Sequence, residues 1–167
     1  MSRVSESSEI HPATSGLSAR VVIPELLRKG RDERALRRFE GFSPTRASIL
    51  LIEPQVDRQV AIGELLRSVG LRPILVSTAT EALETMVRRF VDVVVCSHAL
   101  PDMSGCELAR ELKALRCVPA HLPIPVILLA SSSDSSAHEA LRSGADLVCL
   151  MDRAVTMLIP QVLFLLR

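Results

Sequence analysis

The sequence predicts an α/β fold, a doubly wound parallel sheet of five strands flanked by five helices, with an N-terminal extension. Five short apolar runs alternate with five segments in which apolar residues recur at three- and four-residue spacing. The third run, Val91–Cys96, is rich in valine, as expected of a strand that helices cover on both faces. Gly70 follows the first helical segment of the alternating part, at the position of a C-terminal cap.

The N-terminal extension has two predicted parts. Residues 1–23 are rich in Ser and contain few large apolar side chains, so we expect them to be disordered. Residues 24–46 are expected to form a helix and a linker, because Pro24 suits the first position of a helix and partial apolar spacing follows it. Arg31, Arg34 and Arg38 are candidate contacts for an acidic partner. A solvated helix face is the alternative, and a nucleic-acid contact is disfavoured because no DNA-binding motif accompanies these arginines.

The folded domain is predicted to span residues 47–167. Strands are expected at Ser48–Glu53, Arg72–Ser77, Val91–Cys96, Ile124–Ala130 and Leu147–Met151. The first two helices are expected at Gln55–Val69 and after a cap at Thr78 or Thr80. The third is expected at about Ser104–Leu115, and the fourth runs from the Ser131–Asp134 loop to Arg142. The fifth ends the chain. Pro160 would break the last helix if that helix began at Asp152, so we place its cap at Thr156.

Composition limits the possible functions. The chain has 167 residues, of which 48% are apolar, and a net charge of +1, which fits one well-packed domain without an overall attraction to nucleic acid or acidic membranes. The four cysteines show neither a CxxC pair nor a Cys/His metal spacing, so we expect no metal and no cofactor. His98 is expected to be an isolated, exposed loop side chain. Without a signal peptide or a run long enough to cross a bilayer, the protein is expected to be cytoplasmic and free of membranes.

Several stretches of the alternating part resemble the receiver domain (CheY-like) of bacterial two-component response regulators. They are the strand Ile49–Glu53, the turn Leu100–Gly105, the strand Ile124–Ile127 with the Ser-rich loop that comes after its end, and Gly144–Asp146. The resemblance covers about Ala47–Arg167, and the Pro and Gly of the long turn fall at the family's spacing from the third strand. It implies a sheet order of 2-1-3-4-5, with the functional crevice at the carboxyl ends of the strands.

The resemblance also implies a chemistry, and this sequence departs from it. A working receiver has an acidic pair after the first strand, a phosphoaccepting Asp at the end of the third, Thr or Ser after the fourth and Lys after the fifth. The carboxylates hold Mg²⁺, and the hydroxyl and ammonium bind the phosphoryl oxygens. These positions hold Glu53-Pro54, Ser97, Ala130 and Met151 here. A serine hydroxyl cannot form an acyl phosphate, so we predict a pseudo-receiver that is not an enzyme, with Ser97 as a cap or loop-stabilising residue.

Two functions remain open for such a domain. The first is a protein-interaction or signalling adaptor that docks a partner or a second copy through its fourth helix, fifth strand and fifth helix, or through the N-terminal extension. The last helix is apolar on several sides and the fifth strand is wholly apolar, so Val148, Met157, Phe164 and Leu165 are candidate contacts. Burial of that surface by the N-terminal segment is the alternative. The second function is sensing a small ligand in a pocket lined by Cys96, Ser97, Ala130 and Met151.

Overall fold

A computed structural model describes residues 46–114, 124–131 and 134–167. The predictions for residues 1–23 and for nearly all of 24–46, including Arg31, Arg34 and Arg38, lie outside these described residues. The division of the chain into an extension and a domain therefore remains a prediction.

Five parallel strands form one sheet in the order β2-β1-β3-β4-β5, as predicted. The strands are β1 (Ser48–Ile52), β2 (Arg72–Val76), β3 (Val93–Ser97), β4 (Val126–Ala130) and β5 (Leu147–Leu150). β1, β3 and β4 are buried almost throughout, because each has a strand on both sides and helices on both faces. The predicted third strand shifts by one to two residues, since Val91 and Asp92 precede β3 and Ser97 belongs to it.

Within the residues that the structure describes, five helices connect or follow the strands. They are α1 (Val56–Ser68), α2 (Ala79–Arg88), α3 (Gly105–Ala114), α4 (Asp134–Ser143) and α5 (Ala154–Leu165), and a 3₁₀ turn at Met151–Arg153 precedes α5. In the described part of the chain, no helix combines the length and the apolar content needed to cross a bilayer. The alternation of strands and helices is the one that the periodicity predicts.

Local signals explain where two of these helices begin. Thr78, rather than Thr80, caps α2, because its side-chain oxygen accepts a hydrogen bond from the N–H of Glu81 at 3.1 Å. Ser104 and Glu107 form a reciprocal capping box at the start of α3, with N–H to side-chain distances of 2.9 and 3.1 Å.

The end of α1 is a Schellman motif. The N–H of Gly70 donates to the carbonyl of Arg67 and the N–H of Leu71 donates to that of Leu66. Gly70 takes a φ of 83°, in the left-handed region that favours glycine. The sequence signal at Gly70 therefore identifies the end of the helix correctly.

The predicted start of the last helix was wrong. α5 begins at Ala154, so Pro160 lies inside it rather than in its first turn. The hydroxyl of Thr156 donates to the carbonyl of Arg153 at 3.1 Å instead of capping the helix. The 3₁₀ turn leads directly from β5 into α5, and the inward packing of Leu158 and Val162 holds the helix together across the proline.

The core has one layer on each face of the sheet. α2, α3 and α4 cover one face, where Ala82, Leu108 and Ala140 pack against residues of β1, β3 and β4. α1 and α5 cover the other face through Leu66, Leu158 and their neighbours. Loops, rather than helices, lie at the carboxyl ends of the strands, which is where parallel sheets of this kind usually carry a functional site.

Candidate functional site

Glu53 and Ser97 meet at the carboxyl ends of β1 and β3. The two strands pair in parallel with Ile52 opposite Cys96, so the next residue of each strand lies beside the other. Both side chains are buried, and the hydroxyl of Ser97 donates a hydrogen bond to Oε2 of Glu53 at 2.5 Å. Ser97 therefore stabilises the loop after β1 through a buried carboxylate, 44 residues away in sequence.

The second oxygen of Glu53 is occupied as well. Oε1 accepts a hydrogen bond from the N–H of Gln55 at 2.8 Å and one from Nη2 of Arg58 at 3.1 Å. The guanidinium of Arg58 thereby neutralises a carboxylate whose side chain is 0% exposed. Gln59 adds a clamp, because its Nε2 donates to the carbonyls of Glu53 and Val76 at 3.0 and 2.9 Å.

Sequence reasoning missed Arg58 and Gln59. Both lie in the first turns of α1, which starts close to the carboxyl end of β1, so a long polar side chain there reaches back to Glu53. The available signal was the spacing of Glu53 and Arg58 across the start of a predicted helix. An acidic residue that ends a strand and a basic residue about one helical turn into the next helix can pair in this way.

These residues do not fit the Mg²⁺ that the resemblance implies. Pro54 offers no side-chain ligand, and Ser97 offers a neutral hydroxyl that already donates to Glu53. Both oxygens of the one remaining carboxylate accept hydrogen bonds, and one of them pairs with a cation that is part of the chain. A divalent ion prefers several oxygen ligands and would have to displace the guanidinium of Arg58.

The other two degenerate positions lie on different layers. Ala130 is fully buried with Cys96 in the layer under α2, α3 and α4, whereas Met151 packs against the layer under α1 and α5. The pocket predicted from Cys96, Ser97, Ala130 and Met151 stays a prediction. Burial raises the pKa of the Cys96 thiol, so this side chain remains neutral within the core.

The loop between β3 and α3 is fixed at two places. Asp102 accepts hydrogen bonds from the N–H groups of Ala79 and Thr80 and from the Thr80 hydroxyl, at 2.7 to 3.0 Å. Burial alone would raise the pKa of Asp102, but the hydrogen bonds from Thr80 and Ala79 lower it below the ordinary value of 3.8. At the far end of the loop the N–H of Gly105 donates to the carbonyl of His98 at 2.9 Å.

His98 is neither isolated nor fully exposed. Its side chain is 24% exposed, and its Nε2 lies 3.2 Å from Oε2 of Glu139 on α4. This pair could not be predicted, because 41 residues separate its members and only the fold brings them together.

The candidate interaction residues divide into two groups. Met157 and Phe164 are 45% and 63% exposed, whereas Val148 and Leu165 are partly buried against the core. Gln161 shares a helix face with Met157 and Phe164, and its side chain donates to the carbonyl of Val148 at 3.3 Å. This contact places the Met157–Phe164 face of α5 beside the β5 edge of the sheet.

Comparisons with known proteins agree with this architecture. The family model described as response regulator receiver domain matches residues 49–150. The transcriptional regulatory protein KdpE of Mycobacterium tuberculosis is 37% identical over 95 residues, which are 56% of this chain and 38% of that protein. The transcriptional regulatory protein ZraR of Klebsiella oxytoca is 33% identical over 104 residues, 62% of this chain and 22% of that protein. The chain thus spans less than two fifths of the length of either relative.

Solved structures show the same fold. The receiver domain of a signal transduction histidine kinase from Syntrophus aciditrophicus superposes with a TM-score of 0.64 at 26% identity, covering 72% of this chain and 89% of that one. A Saccharomyces cerevisiae receiver domain, solved with a histidine phosphotransfer protein, superposes with a TM-score of 0.61 at 19% identity, covering 70% of this chain and 86% of that one.

Proposed function

Because this chain belongs to the response regulator receiver family, we propose that it is a phosphorylation-independent receiver that signals by docking a protein partner. Receiver domains are signalling modules of two-component systems, and the relatives that match this chain are ordinary response regulators. The proposal concerns how this member performs that role without the family's chemistry.

One observation carries the proposal: the Ser97 hydroxyl and both oxygens of Glu53 have hydrogen-bond partners within the chain. Ser97 donates to Glu53, and Arg58 supplies the positive charge that Glu53 requires. Ser97 has no carboxylate with which to accept a phosphoryl group as an acyl phosphate. The surrounding charges are balanced within the chain, so neither a metal ion nor a phosphoryl group is needed to stabilise this end of the sheet.

The edge of the domain formed by α4, β5 and α5 is the favoured docking surface. Met157 and Phe164 expose apolar surface beside β5, and Leu141 of α4 is 67% exposed. Exposed apolar surface of this kind is typical of protein interfaces. The Saccharomyces receiver domain named above was solved in a complex with a phosphotransfer protein, which illustrates that this fold binds protein partners.

The N-terminal extension is the second surface in the proposal. Arg31, Arg34 and Arg38 would suit an acidic partner. Separate substitutions can test this extension and the surface formed by α4, β5 and α5.

The test is capture of a binding protein from a native lysate with five forms of the full-length chain, one of which has Arg31, Arg34 and Arg38 replaced by Ala. We expect the wild type and Ser97→Ala to retain the same partner, because docking does not depend on chemistry at residue 97. We expect Phe164→Asp to lose it through the cost of placing a charge in an apolar contact. Val56→Asp is the matched control, since Val56 is 68% exposed on α1, away from β5.

Three results would count against parts of the proposal. Loss of the partner in Ser97→Ala would make residue 97 necessary for signalling. Retention by Phe164→Asp, with loss on substituting the three arginines by Ala, would move the docking surface to the extension. Failure of every form to retain a specific protein would contradict the adaptor role.

A further inference from the structure

Three side chains that can ligate a metal meet between the loop after β3, the first turn of α3 and the helix α4. They are His98, Cys106 and Glu139, and their ligand atoms all lie within 4.8 Å of one another. They belong to three different elements and show no sequence motif, so only the fold reveals the group. Cys106 packs in the layer under α2, α3 and α4, and His98 directly follows Ser97 in the chain.

The spacing of two of these groups matches a tetrahedral metal centre. Nε2 of His98 and Oε2 of Glu139 are 3.2 Å apart. Metal–ligand bonds of about 2.0 to 2.2 Å at tetrahedral angles place a nitrogen and an oxygen ligand roughly 3.4 Å apart. A thiolate bonded at about 2.3 Å would lie roughly 3.6 Å from either of them, so the sulfur of Cys106 has to approach by about 1 Å or less.

The surrounding residues orient these ligands. Nη2 of Arg110 lies 3.6 Å from Oε1 of Glu139, which leaves the other oxygen of that carboxylate directed at His98. The N–H of Gly105 fixes the carbonyl of His98 at 2.9 Å. The guanidinium of Arg110 also opposes a second cation, so an ion bound here would share Glu139 with Arg110.

The group is closed on one side and open on the other. Cys106 is fully buried, whereas the side chains of His98 and Glu139 are 24% and 48% exposed. An ion can therefore enter from solvent, and a water molecule can complete four-coordination.

We propose that His98, Cys106 and Glu139 bind one Zn²⁺ ion with a water molecule as the fourth ligand, joining the loop after β3 to α4. One sulfur, one nitrogen and one oxygen donor suit Zn²⁺, whereas Mg²⁺ prefers oxygen ligands alone. This proposed site does not rest on the proposed docking function, although Glu139 lies on α4 of the docking edge and His98 directly follows Ser97.

The test uses the full-length protein after treatment with a chelator, titrated with Co²⁺ and with Zn²⁺. Co²⁺ is expected to give the near-ultraviolet charge-transfer band of a thiolate ligand, and Cys106→Ser is expected to lose it. Zn²⁺ affinity, measured in competition with a chromophoric chelator, is expected to fall about tenfold or more in both His98→Ala and Glu139→Gln. His138→Gln is the matched control, because His138 is exposed and adjacent to Glu139 on the same helix.

Unfolding curves of the metal-free variants show whether each variant is folded, so that a loss of metal binding can be separated from a loss of structure. His98 and Glu139 are partly exposed, so their variants are expected to stay folded even if Cys106→Ser does not. A thiolate band that persists in Cys106→Ser would assign the metal to other cysteines and overturn the proposal. Equal loss of affinity in His138→Gln, or unchanged affinity in His98→Ala and Glu139→Gln, would overturn it as well.

Discussion

Single residues decide the chemistry at the carboxyl end of the sheet. Glu53 is a fully buried carboxylate, and a buried charge is tolerated only with partners that replace its hydration. Here the partners are the Ser97 hydroxyl, the Gln55 N–H and the Arg58 guanidinium. Ser97, which the resemblance places at the phosphoacceptor position, is thus part of a buried hydrogen-bonded group with Glu53 and Arg58.

Arg58→Met tests the internal cation. Methionine keeps an apolar stem of similar length but leaves Glu53 without its positive charge. We expect the free energy of unfolding to fall by about 1 to 2 kcal/mol, a reduced value because the Arg58 side chain is 40% exposed. Urea unfolding measures it, and Arg67→Met, an exposed change on the same helix, is expected to stay within about 0.5 kcal/mol of the wild type. Equal effects of the two substitutions would contradict a specific role for Arg58.

Asp102→Ala tests the attachment of the β3–α3 loop to α2. The carboxylate accepts the first N–H groups of that helix, so its loss is expected to cost about 1 kcal/mol at neutral pH. The folded-state pKa lies below the ordinary value of 3.8, so the pH-dependent part of this contribution is present above that value. It is lost as the pH falls through the folded-state pKa.

The measurement for Asp102 is denaturant unfolding of both proteins over a series of pH values. The stability difference between wild type and variant is expected to be constant near neutral pH, to begin to shrink about one pH unit above 3.8, and to shrink further in more acidic solution. A difference that grows on acidification would have the wrong sign and would contradict the hydrogen-bonded carboxylate.

Among the elements, the connection from β3 to α3 is the most tightly constrained. A Cβ atom at Gly105 would meet the backbone carbonyl oxygen of Ser97 and would lie 3.0 Å from both Sγ of Cys96 and Cδ2 of Leu128. The first turn of α3 therefore passes against the end of β3 with no room for a side chain. This close approach gives a physical reason for the glycine that ends the long turn.

Gly105→Ala is expected to destabilise the fold by about 3 kcal/mol, because the added atom meets backbone that cannot move without shifting β3 or α3. Gly63→Ala on α1 is the control, since its Cβ would lie 3.3 Å from the end of the Leu75 side chain, which can move. Its expected change is within about 1 kcal/mol, as helix propensity offsets the contact. Thermal unfolding distinguishes them, and similar transitions would contradict the close approach.

Most elements could be predicted because their signals are local. Valines in β3, the cap at Thr78 and the glycine after α1 each depend on neighbouring residues alone. α5 is the exception, since tertiary packing of Leu158 and Val162 overrides the local effect of Pro160.

In the whole molecule, the fold was easier to predict than the site. The order of the strands followed from the resemblance, and the positions of Glu53 and Ser97 followed from that order. The contact of Arg58 with Glu53 was missed, and the grouping of His98, Cys106 and Glu139 could not be predicted, because it depends on elements distant in sequence. Residue types alone predict a loss of receiver chemistry, whereas the hydrogen bonds that Ser97 and Glu53 make required the structure.

The most direct test of a receiver that works without phosphorylation is intact-mass analysis of the full-length protein after incubation with acetyl phosphate and Mg²⁺. A variant carrying Pro54→Asp, Arg58→Ala, Ser97→Asp, Ala130→Thr and Met151→Lys is measured beside it, to ask whether the family's residues restore labelling on this fold. The wild-type chain is expected to show no added phosphoryl group, because Ser97 cannot form an acyl phosphate and Glu53 is paired with Arg58. A phosphoryl group on the wild-type protein that is lost on treatment with hydroxylamine would contradict that expectation.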